Sequence, residues 1–142
     1  HNEIYKLRKD VNAIVHAHAP VSTAFSCANV PLDYSVYPEV IVMIGEIPMV
    51  EYVTPTTRDL GSVVARHVGE HNALLLQSHG PVTMGTNLEQ AYQRMELLED
   101  FAKILLVSKI LGGAQPLPDG EAQKLLGLES EKYRVELVEK PR

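Results

Sequence analysis

The order of hydrophobic and polar residues separates short, almost wholly apolar runs from longer stretches of helical spacing. Residues 1–9 set Ile4 and Leu7 three apart, the spacing of one helix face. Neither an initiator methionine nor a capping residue precedes them. This helix is therefore expected to be the end of one that starts upstream, with the chain beginning inside a larger domain. Asp10-Val11-Asn12 breaks it, and Ala13–His18 is predicted to be a short β-branched strand buried on both faces. Pro20 suits a first helical turn, and a helix over Val21–Asn29 is predicted to follow.

Pro38, Pro48 and Pro55 punctuate residues 31–56, where Val40–Ile44 and Met49–Val53 are predicted strands parted by the turn Gly45-Glu46. A helix starts at Thr57, with Leu60, Val63, Val64 and His67 on a spacing of three and four. Ala73–Gln77 reads as a second apolar strand ending at Ser78-His79-Gly80, with Pro81–Met84 as a short partner strand. Asn87 is a good cap for the longest helix, 88–111. Its apolar stripe reads Leu88, Ala91, Met95, Leu98, Ala102, Leu105 and Leu106, and Gly112-Gly113 end it. The tail, 114–142, carries a short predicted helix over Asp119–Leu128 and then a charged segment. With no repeat, low-complexity tract or linker, 1–142 reads as one domain.

Composition narrows the class without naming a function. A chain of 142 residues buries on the order of 70 % of its unfolded surface, enough for a real core. Hydrophobic content of 45 % and charged content of 22 % are those of a soluble globular protein. A net charge of −5 and a pI near 5.6 lack the basic footprint of a nucleic-acid binder. The polar start is no signal peptide, and no apolar run approaches the roughly 20 residues that span a bilayer. The single cysteine, Cys27, cannot form an internal disulfide, in keeping with the cytoplasm. Nor does it read as a nucleophile, because Ala24, Phe25 and Ala28 around it supply no base. Gly80 and Gly85 form no phosphate loop, for no Lys-Ser/Thr follows them.

Three histidines carry the candidate chemistry. A strand sends residues i and i+2 to one face, so His16 and His18 can aim two imidazoles at one point. His79, at the end of the second apolar strand, can bring a third. Three neutral imidazoles with a fourth position open are the arrangement of a catalytic zinc site, with Zn–N near about 2.0–2.1 Å. The competing reading is a set of hydrogen-bonded structural histidines. His67 and His71 are four apart and could also ligate, but they read as a solvated helix end. His1 has no visible partner, and Glu96, Glu99 and Asp100 read as a solvated acidic face.

The run Asp10-Val11-Asn12-Ala13-Ile14-Val15-His16-Ala17-His18-Ala19-Pro20 resembles the metal-site strand of the class II aldolase/adducin superfamily. Ala73-Leu74-Leu75-Leu76-Gln77-Ser78-His79-Gly80 resembles its second metal segment, and the similarity extends over about residues 1–112. The resemblance implies a three-layer α/β/α fold with a mainly antiparallel central sheet, in a homotetramer with sites at subunit boundaries. It implies that His16, His18 and His79 ligate Zn2+ or another divalent metal, and that the substrate is a small phosphorylated sugar. The activity it implies is retro-aldol cleavage of a ketose of the fuculose-1-phosphate type to dihydroxyacetone phosphate and an aldehyde. The superfamily also holds ribulose-phosphate epimerases, methylthioribulose-phosphate dehydratases and non-catalytic adducin-like interaction domains. Its acid/base carboxylate and phosphate loops fall before the position of His1. Its tyrosines, from a neighbouring subunit and the C-terminal tail, make Tyr34, Tyr37 and Tyr133 the candidates here.

Overall fold

The computed structural model describes residues 1–127. In chain order it holds α1 (Asn2–Leu7), β1 (Ala13–His16), α2 (Pro20–Cys27), a 3-10 turn over Tyr34–Val36, and α3 (Pro38–Met43). Then come β2 (Met49–Val50), α4 (Arg58–His67), β3 (Ala73–Leu76), β4 (Gly80–Gly85), α5 (Leu88–Ile110) and α6 (Glu121–Leu126). The strands form one sheet in the order β1-β4-β3-β2. The β1/β4 and β3/β4 pairings are antiparallel and β2/β3 is parallel.

Strand β3 shows why the sheet sits in the middle. All four of its side chains are buried, and alternation sends them to opposite faces. Ala73 and Leu75 pack with Phe25 of α2, Val40 and Ile44 at α3, and Leu98, Phe101 and Ala102 of α5. Leu74 and Leu76 pack with Ile4 of α1, Val64 of α4, and Val82 and Met84 of β4. Helices therefore cover both faces, as the three-layer expectation required.

Two predictions fail in 31–56. Val40–Ile44 is not a strand but largely the helix α3, entered through Pro38 at its first position. Its β-branched run favours a strand locally, yet Val40, Ile41 and Ile44 are all buried, a spacing of one, three and four that follows a helix face and not one face of an alternating strand. The strand predicted over Met49–Val53 shortens to Met49–Val50, and beyond it the Tyr52 amide bonds the Gln77 side chain at 3.0 Å.

The long helix begins as predicted, with the Asn87 side chain accepting from the Gln90 amide at 2.8 Å. Its buried face is shifted from the predicted stripe. Leu88 is 67 % and Leu106 46 % exposed, while Phe101 and Arg94 are buried. A 3.6-residue period runs through 91, 94–95, 98, 101–102 and 105, and position 106 has already turned away. Arg94 is tolerated inside because its guanidinium donates to the carbonyls of Met43 and Met84, each at 2.8 Å. Among the described residues no helix is long and apolar enough to cross a membrane.

Candidate metal centre

The site forms where β1 ends beside the β3–β4 hairpin. His16 is the last residue of β1 and pairs with Val82 of β4. His18 lies two residues on, in the three-residue link to Pro20 of α2. His79 sits in the three-residue turn between Leu76 and Gly80, which are themselves paired. Ser78 just before it takes φ 55°, a left-handed conformation costly for a residue with a Cβ, and such strain gathers at functional turns. Gly80 follows with φ 133°. A Cβ there would lie 2.7 Å from the Ala17 carbonyl oxygen and 3.0 Å from Thr23 Oγ1. Only glycine lets the hairpin press this closely on the segment that carries His18.

The three rings meet at centroid separations of 5.2, 4.7 and 5.2 Å. One ring nitrogen from each lies within 4.8 Å of the other two. His16 Nδ1 is 2.9 Å from the Pro81 carbonyl, which can only accept, so Nδ1 carries the proton and Nε2 presents a lone pair. That Nε2 faces His79 Nε2 at 3.2 Å. Two ligands at about 2.0–2.1 Å from a tetrahedral cation lie about 3.3 Å apart, so this pair needs little adjustment. His79 Nδ1 is buried with no hydrogen-bond partner.

Electrostatics favours the same state. Burial holds His16 below the ordinary histidine value, with the neighbouring imidazoles adding to it and the Pro81 bond opposing it. Burial also lowers His79, with His18 adding to it. Both rings therefore stay neutral at physiological pH, the form a metal requires. The donor set suits a divalent cation of the zinc type, for which neutral imidazoles are ordinary ligands. His16 and His79 also line a cavity of about 800 Å³ between α1 and α4. Its floor includes Ile4, Leu60, Val64, Leu76 and Val82, and its rim includes Asn2, Lys6, Thr57 and Ser62.

The tyrosines are not at this point within one chain. Tyr37 stacks on Phe101 at 6.0 Å in the opposite core, and Tyr34 lines a second hollow beside Asn72, before β3, whereas His79 follows β3. Tyr133 lies outside the described residues. His67 pairs with Glu51 at 2.9 Å rather than standing as a purely solvated helix end, and His1 lies on the cavity rim.

The acidic face on α5 needs correcting. Asp100 and Glu96 are exposed, but Glu99 reaches α2 and accepts from the amides of Val21 and Ser22, both at 2.9 Å, and from Ser22 Oγ at 2.7 Å. Arg8 was another residue the sequence did not single out. It donates to the carbonyls of Val68, Gly69 and His71 and to Asp10, tying α1 to the turn before β3. Its carbonyl partners lie 60–63 residues away, so the sequence held no local signal of this role.

Residues 1–106 match the family described as Class II Aldolase and Adducin N-terminal domain. The chain belongs to the class II aldolase and adducin family. Within it, a 3-oxo-tetronate 4-phosphate decarboxylase of Pectobacterium atrosepticum is 37 % identical over 112 residues, covering 75 % of this chain and 51 % of the relative. An L-fuculose phosphate aldolase of Methanococcus vannielii is 36 % identical over 104 residues, 73 % of this chain and 56 % of the relative. The chain thus spans about half the length of the relatives it matches. The solved structure of YgbL of Escherichia coli, described no more narrowly than aldolase, epimerase or decarboxylase, superposes with a TM-score of 0.81 at 30 % identity. That match covers 87 % of this chain and 61 % of YgbL.

Proposed function

We propose that this family member is a metal-dependent lyase that breaks a carbon–carbon bond next to a carbonyl in a phosphorylated sugar. Its first candidate substrate is a ketose phosphate of the fuculose type. The observation that carries the reading is the convergence of three ring nitrogens within 4.8 Å at the wall of a cavity large enough for a sugar. His16, His18 and His79 hold the cation, Zn2+ in the first instance. When bound, it supplies Lewis-acid stabilisation of the negative charge that develops on the carbonyl oxygen as the neighbouring bond breaks.

The chain's own residues contribute placement and neutrality. The Pro81 carbonyl fixes the His16 tautomer so that Nε2 keeps its lone pair for the cation. The apolar floor made by Leu76 and Val82 excludes water from one side, which strengthens charge–charge interaction within the site. Because the three ligands are neutral, the cation keeps its full double charge. Assembly is proposed as a cytoplasmic homotetramer. Tyr34 and Tyr37 would then act as proton donors only across a subunit boundary, since neither lines the histidine cavity of its own chain.

A second reading is favoured by the 37 % identical relative named a decarboxylase. Loss of carbon dioxide beside a ketone leaves the same kind of charge on the same oxygen, so the site as described serves both. The test is to incubate zinc-loaded protein separately with L-fuculose 1-phosphate and 3-oxo-tetronate 4-phosphate, following dihydroxyacetone phosphate and carbon dioxide. Dihydroxyacetone phosphate from the first is expected. No product from the first, with carbon dioxide and dihydroxyacetone phosphate formed together from the second, transfers the assignment to the decarboxylase reading, and no product from either substrate with metal-loaded protein sinks both.

A further inference from the structure

We infer that Glu99 is a positioning residue for His18, so that a carboxylate on α5 sets the affinity of the histidine site without touching the metal. The inference rests on the metal-site reading and adds a residue to it. His16 has its ring fixed by a hydrogen bond to Pro81. The His18 ring makes no such bond among the described residues; its contacts are the edges of the other two imidazoles. Its place is therefore dictated by the backbone that carries it, a link of three residues between β1 and α2.

That link is held at its far end by Glu99. The first turn of α2 leaves amides without helical partners, and its cap residue, Ala19, offers no side chain to satisfy them. Glu99 satisfies two of them, at Val21 and Ser22, and takes the Ser22 hydroxyl as well. These are charge-assisted bonds to a helix start, where a negative charge is most favourable. Helix α2 is in turn fastened to the other histidine loop. The Ser78 amide donates to the Ser26 carbonyl at 3.2 Å, and Thr23 closes on Gly80. The helix thus bridges the segments that carry His18 and His79, and Glu99 fixes where the bridge starts.

The test is cobalt(II) titration of the protein, read by its visible absorption band and by zinc competition, with the melting temperature of the metal-free form measured alongside. Glu99→Ala is expected to weaken affinity about 10–100-fold and to change the band, as loss of an outer partner does at other metal sites. Glu99→Gln keeps one acceptor oxygen and is expected to fall between. Arg8→Lys serves as the control, because Arg8 ties down the opposite end of β3; it is expected to lower the melting temperature with affinity and band unchanged. Should Glu99→Ala fail to fold, Glu99→Gln and Ser22→Ala carry the test, with smaller losses expected from each. Wild-type affinity and band in the Glu99 and Ser22 variants would overturn the inference, as would an equal loss in Arg8→Lys. Absence of cobalt binding by the wild type would instead remove the metal reading, and this inference with it.

Discussion

At the scale of single residues, the site depends on close approach as much as on its ligands. Gly80 has no room for a methyl group and sits at φ 133°, so Gly80→Ala must push the hairpin off the Ala17 carbonyl or strain the turn. A loss of about 2 kcal/mol in unfolding free energy is expected, with a weakening of zinc binding beyond what lower stability explains. Chemical denaturation and calorimetric titration check the two parts, and wild-type binding by a destabilised variant would contradict the second. The histidines were legible in sequence because imidazoles in or just beyond short apolar runs are uncommon and strand ends are where sites collect. Glu99 was not legible: its partners, Val21 and Ser22, lie 78 and 77 residues away, and nothing local separates a helix-capping carboxylate from a solvated one.

At the scale of elements, Arg8 ties the end of α1 to the turn before β3. Three backbone carbonyls and Asp10 take its guanidinium, and a lysine ammonium cannot reproduce that fork. Arg8→Lys is expected to cost about 1–3 kcal/mol in denaturant unfolding, and no change would contradict the tie. Its partner sets a pH dependence. The hydrogen bond from Arg8 lowers Asp10 from the usual carboxylate value of 3.8 to about 2. A depressed acid contributes stability above its unfolded value, and that contribution is lost as pH falls through about 2. Asp10 is mostly solvent-exposed, which reduces the effect to about 0.5 kcal/mol. Asp10→Asn is therefore expected to lose slightly less stability than wild type on acidification from pH 5 to 2, seen in paired urea curves. Elements with a local signature, such as the Asn87 cap, were readable in advance. Helix α3 was not, because its Val-Ile-Val run prefers a strand until the core contacts of Val40 and Ile44 are counted.

For the whole molecule, the sheet divides the described residues into two cores, and only the α1/α4 side opens beside the histidines. That asymmetry follows from β3, whose odd and even positions serve different faces, and no local reading of an all-apolar strand assigns those faces. The three layers and the mainly antiparallel sheet became expectations only through resemblance to the family, and the strand order β1-β4-β3-β2 comes from the structure alone. A cation that binds the folded chain alone raises its stability by mass action, about 2.7 kcal/mol at a hundredfold excess over its dissociation constant. Chelator is accordingly expected to lower the melting temperature of loaded protein but not that of His79→Ala.

The central claim is that these histidines form one metal site. Metal content per chain, measured by elemental analysis after zinc loading and gel filtration, tests it most directly on wild type and His79→Ala together. The expected result is one zinc per wild-type chain and almost none in the variant; a wild type without zinc, or a variant that holds it equally well, would contradict the account.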